Sequence, residues 1–566
     1  MSEVKYKIYW NNLKRSPVIL NTELGEENHY SNLTYMSTDL RPVFLEEKHL
    51  IKTLCDNVDD SIFSQSVWAS PGIYYINGQR KRLPLKKNFA LVKDIDLFRK
   101  KIASFKATEE MLQNEKKLFD NFVSANQVHL SNLLESEKED IEGYPLGAYT
   151  FIKKEVDKYP KRTAVVSFSG GKDSIVVSHL VRKALNTQEV LHVFADTTLE
   201  IPDTYPFLEE FKKEYKNTPF LVERNDESDF FDMCKEIGPP SRVKSWCCSI
   251  FKTGPMGTTF SEMDIKLLTF YGIRRNESAS RSKYKRVTQS PKLKLQIVAA
   301  PVIDWLDIDI WLYMFTNKLI FNKAYRLGFS RVGCWCCPNN SNWSDMLAKI
   351  YFAKEYDKWH NFLIDFAKKI GKPDAEDYIN DGKWKARQGG AGLDSSKTKI
   401  ASKDCVGKNE TAKTYQLTRP IDDDFFELFK SFGELNNTLG KRRHGEINIL
   451  NKNKEVIFKI IAKRGELSFR VILVMTNPKE LNNQYKQNLG QYFWNYIDNQ
   501  VRKFQSCIYC KACNGVCPIS AIKVDKTGYH IDERLCIHCL KCVNHFPSGC
   551  LIASALGTKN QDEVLS

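Results

Sequence analysis

Sixteen cysteines are spread along 566 residues, and eight of them fall between Cys507 and Cys550. Cys507, Cys510, Cys513 and Cys517 follow C-x2-C-x2-C-x3-C with Pro518 next. Cys536, Cys539 and Cys542 repeat the C-x2-C-x2-C part, and Cys550 supplies an eighth thiol. Thiolates are soft, anionic donors that suit iron–sulfur clusters. Paired structural zinc is the competing reading, though these runs crowd too many thiolates for tetrahedral ions. A second element of chemistry lies upstream. The apolar strand Thr163–Ser167 runs through Phe168 into Ser169, Gly170, Gly171, Lys172, Asp173 and Ser174, then into the helical run Ile175–Lys183. A strand feeding a glycine turn into a helix N-terminus is an anion site, because backbone N–H groups point into the turn and the dipole favours negative charge. Gly170 and Gly171 permit close approach, Lys172 adds a point charge, and Ser169 and Ser174 add hydroxyl donors. The spacing is not that of the G-x4-G-K-[ST] loop.

Elements must position these residues. The length implies three or four domains, and 42% hydrophobic with 27% charged residues is ordinary for a folded soluble chain. No apolar run is long enough for a membrane helix, and Met1–Trp10 lacks an apolar h-region, so a cytoplasmic, membrane-free protein is expected. In that compartment thiols stay reduced, which argues against disulfides. The net charge of +15 fits a solvated surface as readily as an anionic partner. Residues 1–105 read as a small β-rich domain, with strands such as Gly72–Asn77 and Phe89–Val92. Residues 106–146 read as a helical linker. From 147 to 400, strands at Thr163–Ser167, Glu189–Ala195, Lys266–Tyr271 and Leu295–Ala299 alternate with helical patterns, which predicts an α/β domain with a mostly parallel sheet. Residues 411–500 form a basic α+β segment with antiparallel strands at Glu446–Leu450, Val456–Ala462 and Leu467–Val474, and residues 501–560 hold the paired cysteine runs.

The first run resembles that of bacterial two-cluster ferredoxins, in which three cysteines hold one cluster and the fourth ligates the other. This assigns Cys507, Cys510, Cys513 and Cys550 to one [4Fe–4S] cluster, and Cys536, Cys539, Cys542 and Cys517 to the second. The seven residues before Cys550, where three are usual, depart from the pattern. Ser169–Ser174 resembles the PP-loop of ATP pyrophosphatases, which split ATP between the α and β phosphates. Asp196 ends the next strand, at the carboxyl edge where such sheets bind ligands. Arg274, Arg275 and Arg281 follow a third strand, then Pro301–Trp305, Asp309–Trp311 and Gly328–Cys334. The ordered set resembles the phosphoadenylyl-sulfate reductase family from Tyr149 to Asn342. It implies a nucleotide site of Ser167, Ser169, Gly170, Gly171, Lys172, Asp173, Ser174, Asp196 and Arg281, with Lys172, Asp173, Arg274 and Arg275 in catalysis and Mg²⁺ at Asp173. Asp173 is equally suited to cap its helix. Assimilatory adenylyl-sulfate reductases hold a [4Fe–4S] cluster with a Cys-Cys pair and a later C-x2-C, and Cys247, Cys248, Cys334 and Cys337 are similar. A structural zinc is the alternative there, and Cys336 is extra.

Two enzyme readings and one adaptor reading follow. In the first, ATP adenylates an acceptor, pyrophosphate leaves, and sulfur replaces the adenylated oxygen. It resembles tRNA thiolation and DNA phosphorothioation chemistry, and implies an adenine nucleotide, a sulfur donor such as a cysteine desulfurase, an electron donor and a nucleic-acid acceptor. Lys441, Arg442 and Arg443 offer phosphate contacts. In the second, adenylyl sulfate or its 3′-phosphorylated form is reduced to sulfite. The intact loop and the missing Glu-Cys-Gly-Leu-His tail count against it, Cys405 being the one unassigned cysteine near the domain's end. The adaptor would transfer electrons and only sense nucleotide.

Overall fold

The computed structural model describes residues 6–22, 33–137, 145–262, 265–290, 296–407, 410–439, 445–474 and 489–557. Lys441, Arg442 and Arg443 lie outside the described residues.

The strand Thr163–Phe168 stands at the centre of a six-stranded sheet. Leu191–Asp196 and then Phe220–Arg224 lie on one side of it; Leu267–Phe270, Gln296–Ala299 and Val287–Gln289 lie on the other. All pairings are parallel except the last. The chain therefore leaves its first strand in one direction and returns on the other side, which makes the carboxyl end of Thr163–Phe168 the topological switch point where open α/β sheets bind ligands. The strand is buried at Val165, Val166 and Phe168, as a central parallel strand covered on both faces must be.

The N-terminal segment does not stand apart. Its three-stranded sheet (Tyr6–Asn11, Ser16–Asn21, Leu33–Tyr35) and four-stranded sheet (Arg41–Pro42, Val67–Ser70, Ile73–Ile76, Gln79–Lys81) share one hydrophobic core with the nucleotide domain. Trp68, Phe122, Val176 and Trp311 all belong to it. The helices Glu109–Ala125 and Gln127–Glu135 supply Phe122, Leu130 and Leu133 to that core. Phe89–Val92, expected as a strand, is the end of the helix Leu85–Ala90 and the turn after it. Leu85, Phe89 and Val92 are spaced four and three apart, the interval of one helical face rather than of a strand.

A second six-stranded sheet is wholly antiparallel, in the order Ala401–Gly407, Glu410–Gln416, Ser468–Leu473, Val456–Ile461, Glu446–Leu450, Glu434–Asn436. The 18-residue helix Leu489–Ser506 packs on it through Phe493, Ile497, Val501 and Phe504. The same core takes in Ile522, Val524, Tyr529, Ile531, Leu540 and Val543 from the cysteine-rich end. No helix among the described residues is long and apolar enough to cross a membrane.

Candidate functional site

The phosphate loop is held open by its own hydrogen bonds. Gly170 sits at φ +70°, a conformation open to glycine without strain, and a side chain there would also meet Thr204 Cγ2 at 3.3 Å. The Ser174 hydroxyl accepts from the Ser169 N–H (3.1 Å) and donates to the Gly171 carbonyl (2.8 Å). The Lys172 N–H donates to the Tyr325 hydroxyl at 2.8 Å. Gly272, at the carboxyl end of the neighbouring strand, lies against the loop so closely that a Cβ would come within 2.6 Å of the Asp173 backbone. The loop is thus walled by two strands and by Tyr325, and Ser167 sits half-buried at its base.

Around it four charges interlock. Lys172 Nζ lies 3.3 Å from Asp173 Oδ2 and 3.0 Å from Asp307 Oδ1, and also donates to the Ser330 carbonyl at 3.3 Å. Arg274 donates to Asp173 Oδ1 at 2.5 Å and to Asp307 Oδ1 at 2.9 Å. Lys172 and Arg274 are buried, at 4% and 2% exposure, yet the four formal charges cancel. Burial alone would raise the Asp173 carboxyl, but Arg274 and Lys172 outweigh it and hold it down at about 2. Burial works against the Lys172 ammonium too, and Asp173 and Asp307 outweigh it, keeping it charged. Two carboxylates beside a phosphate loop are hard oxygen donors of the kind that hold Mg²⁺ against a nucleotide's phosphates. Asp307 and Tyr325 were not singled out in the sequence; both lie more than a hundred residues from the loop, and no local spacing announces them.

The other expected residues go elsewhere. Arg275 pairs with Asp304 and donates to the Tyr284 carbonyl at 3.1 Å. Arg281 pairs with Glu277. Asp196 accepts from the Thr198 N–H at 2.8 Å and the Tyr205 hydroxyl at 3.0 Å, lining a cleft at the sheet's edge.

One short connection links the phosphate loop to the first group of cysteines. Ser330, which Lys172 reaches, lies four residues before Cys334, so their Cα atoms are at most roughly 14 Å apart. Cys334 makes a β-bridge with Glu200, flanked by Trp335 N–H to Leu199 carbonyl (2.9 Å) and Ile201 N–H to Gly333 carbonyl (3.1 Å). The Thr197 hydroxyl lies 3.4 Å from Cys334 Sγ. Cys247 and Cys248 end the short helix Trp246–Cys248, which runs directly into a π-helical turn, Ser249–Thr253. Successive side chains of an α-helix diverge by about 100°; the π turn is a local change of winding of the kind found at functional sites. Cys247 has Cys248, Cys336 and Cys334 as electrostatic neighbours, and Cys337 has Cys248. Cys336 is buried beside Cys334 and Cys234, and Cys248 is exposed.

The C-terminal thiols gather in two groups. Cys507, Cys510, Cys513 and Cys550 neighbour one another. Cys517, Cys536, Cys539 and Cys542 do likewise, and line one small cleft with Ile519 and Leu540. Burial pushes the thiols of Cys507 and Cys542 up to about 12. Backbone amides work the other way: Tyr509 faces Cys507, Ala512 faces Cys510, His538 faces Cys536, and the Ala521 N–H donates to Cys517 Sγ at 3.2 Å. Such donors favour the anionic sulfur. They arise from the same backbone in both runs, since Tyr509 and Lys511 adopt φ of 55° and 62°, and their equivalents His538 and Leu540 adopt 51° and 57°. Left-handed non-glycine residues cost of order 1–2 kcal/mol each, and here they aim N–H groups at sulfur. Among the described residues no three His, Cys, Asp or Glu side chains converge as one metal ion requires. Tetrahedral zinc, with Zn–S near 2.3 Å, would need sulfurs about 3.8 Å apart. A four-iron cluster takes each thiolate on a different iron and sets a different spacing. The donor type, the grouping by fours and the inward amides fit such a cluster.

The first C-terminal quartet packs on the upstream cysteine group. Cys550, Cys336 and Cys234 share one apolar core, with Cys247, Cys334 and Cys510 packed against it. The helix Leu551–Leu556 packs against both Phe230–Ile237 and Trp246–Cys248. Asn514 donates to Thr258 at 2.8 Å, Lys511 pairs with Glu227 at 2.6 Å, and the Gly390 N–H donates to the Leu556 carbonyl at 3.0 Å. The upstream cysteines thus share a core with the first C-terminal quartet and follow closely on the segment that Lys172 reaches at Ser330. Cys405 belongs to none of these groups; it lies in the strand Ala401–Gly407, next to Thr414.

Residues 163–340 match the phosphoadenosine phosphosulfate reductase domain. An uncharacterized protein of Methanocaldococcus jannaschii is 33% identical over 270 residues, 48% of this chain and 54% of that protein. A second from the same organism is 32% identical over 262 residues, 46% of this chain and 61% of that one. The chain therefore spans little more than half the length of these relatives. An adenosine 5′-phosphosulfate reductase of Oceanobacillus iheyensis is 28% identical over 177 residues, covering 31% of this chain and 71% of that enzyme.

Proposed function

We propose that this chain is an iron–sulfur enzyme of sulfur metabolism that cleaves ATP between the α and β phosphates to activate an acceptor. A C-terminal ferredoxin-like module supplies the electrons. The observation that carries this reading is the pair of carboxylates, Asp173 and Asp307, set against Lys172 and Arg274 at the phosphate loop. A cradle whose own charges cancel is poorly suited to a free polyphosphate, but well suited to one that brings Mg²⁺ to the carboxylates. Lys172, the loop amides and the helix dipole then stabilise the departing pyrophosphate while an acceptor oxygen attacks the α-phosphorus. Arg274 is the positioning residue, since it holds both carboxylates in place.

Sulfur follows the adenylate. Attack by the outer sulfur of a donor persulfide expels AMP and leaves the acceptor joined to the donor through a disulfide. Two electrons and two protons then release the thiolated acceptor and the donor thiol. A [4Fe–4S] cluster supplies one electron at a time, so two clusters at Cys507–Cys550 match the demand. Cys247, Cys248, Cys334 and Cys337, packed near the first C-terminal quartet, would hold a third cluster that relays electrons or holds sulfur. The acceptor is a nucleic acid, to which the chain's positive charge is complementary.

The test is pyrophosphate release from ATP, with and without transfer RNA or DNA. Acceptor-dependent release that falls about 10²–10³-fold in Lys172→Ala supports the reading. Unchanged α–β cleavage in that variant removes the loop from the mechanism. The second reading, reduction of adenylyl sulfate, is favoured by the likeness to adenosine 5′-phosphosulfate reductases. Sulfite release without ATP would install it in place of the first.

A further inference from the structure

Four lysines are buried among the described residues. Lys172 faces Asp173 and Asp307, Lys385 pairs with Asp345 at 2.5 Å, and Lys48 donates to the Gln65 carbonyl at 2.7 Å with the Glu115 carboxylate favouring its charge. Lys503 differs. It is 1% exposed, on the helix Leu489–Ser506, and among the described residues no carboxylate pairs with it. Its ammonium donates to the Cys542 carbonyl and lies 5.6 Å from the centre of the Tyr529 ring. The titratable groups around it are cysteine thiols: Cys513, Cys550 and Cys507 from one quartet, Cys542 from the other. An ammonium taken out of water without a counter-charge is costly. A single carbonyl and a ring face offset part of that cost, and an anionic group between or beside the quartets offsets the rest.

We propose that Lys503 is a counter-charge shared by the two C-terminal cysteine quartets, raising the reduction potentials of the clusters they hold. The inference rests on the reading that those quartets bind iron–sulfur clusters. Reduction adds negative charge to a cluster, and a fixed positive charge in a low-dielectric surround favours the reduced form. Because Lys503 lies beside cysteines of both quartets, its effect falls on both potentials. The residue lies outside the cysteine runs, on a helix whose apolar face the second sheet covers, so the sheet holds the charge in position.

The experiment uses the full chain, reconstituted anaerobically, with Lys503→Met, Lys503→Gln and Lys503→Arg beside the unsubstituted protein. Iron content is measured first, then the cluster potentials by reductive titration followed by electron paramagnetic resonance. The neutral variants are expected to show potentials lower by at least a tenfold change in the reduced-to-oxidised ratio, 59 mV for a one-electron couple. Lys503→Arg is expected to stay near the original. Unchanged potentials in an iron-replete neutral variant overturn the inference. If the neutral variants fail to load iron, retention of iron by Lys503→Arg supports the role of charge, and its loss there overturns it in favour of packing. Absence of iron from the unsubstituted chain overturns the cluster reading itself, and this inference with it.

Discussion

The phosphate loop and the cysteine-rich end each bury positive charge, and they neutralise it by opposite means. At the loop, Lys172 and Arg274 meet Asp173 and Asp307, so the site is balanced by its own side chains. At the C-terminal end, Lys503 meets the Cys542 carbonyl and the Tyr529 ring among cysteine sulfurs, with no carboxylate partner among the described residues. A self-balanced site can fold and wait for its ligand. A site with an unmatched charge depends on what it binds. The first arrangement suits a substrate that comes and goes; the second suits a resident group.

The sharpest way to break this contrast is Arg274→Ala, which strands two carboxylates on Lys172 alone. Removing one partner from a buried ion network costs about 3–5 kcal/mol, to be seen as a lower urea midpoint for the nucleotide domain. A loss below about 1 kcal/mol would mean that the four charges are not a unit. The opposite sign is expected at the other end. In chain stripped of iron with a chelator, Lys503→Met removes an unmatched charge while keeping most of the volume, and stability should rise by about 1–4 kcal/mol. A fall would show that Lys503 is matched without iron.

A smaller effect separates the regions by pH. His192 is fully buried behind the phosphate loop, bonded to the Val190 carbonyl and the Ser178 hydroxyl, each at 2.7 Å. Burial holds it down at about 4, whereas the unfolded residue titrates near 6.5. The unfolded chain therefore binds more protons between these values. The contribution of His192 is complete above about 6.5 and is lost as pH falls toward 4. Between pH 7 and pH 5 this amounts to about 2 kcal/mol, and His192→Gln should flatten that part of the profile.

The least effect is expected from Cys405→Ser. The residue sits in the antiparallel sheet away from both regions, and acceptor activation needs no thiol–sulfite adduct. Activity and stability should stay within about 0.5 kcal/mol of the original. ATP-independent sulfite release abolished by this change would reverse the assignment.

What could be read in advance follows from the range of the forces involved. Thr163–Ser174 was legible because its strand, glycines and helix are consecutive, and the C-x2-C runs because their cysteines are close in sequence. Phe89–Val92 misled because four apolar-rich residues carry either period, and only Leu85, one turn earlier, decides it. Asp307, Tyr325 and Lys503 were hidden for another reason. Each gains its role from a neighbour brought up by the tertiary fold, and a lysine on an amphipathic helix gives no sign that its tip is dry. Arg275 and Arg281 show the converse, since a charge-rich loop after a strand suggested ligand contacts, while local carboxylates Asp304 and Glu277 hold both side chains.

The core that joins the helix Leu489–Ser506 to the second sheet and to the cysteine-rich end has a bearing on modularity. Tyr529, Ile531, Leu540 and Val543 pack with Phe425, Phe429, Phe458 and Phe493, so much of what keeps residues 507–557 folded is contributed from before residue 500. A fragment cut at residue 501 would expose that apolar face to water, and a protease nick near Ser506 would leave the cysteine runs clasped to the rest. Here the cysteine runs are a built-in part, sharing one core with the sheet beneath them.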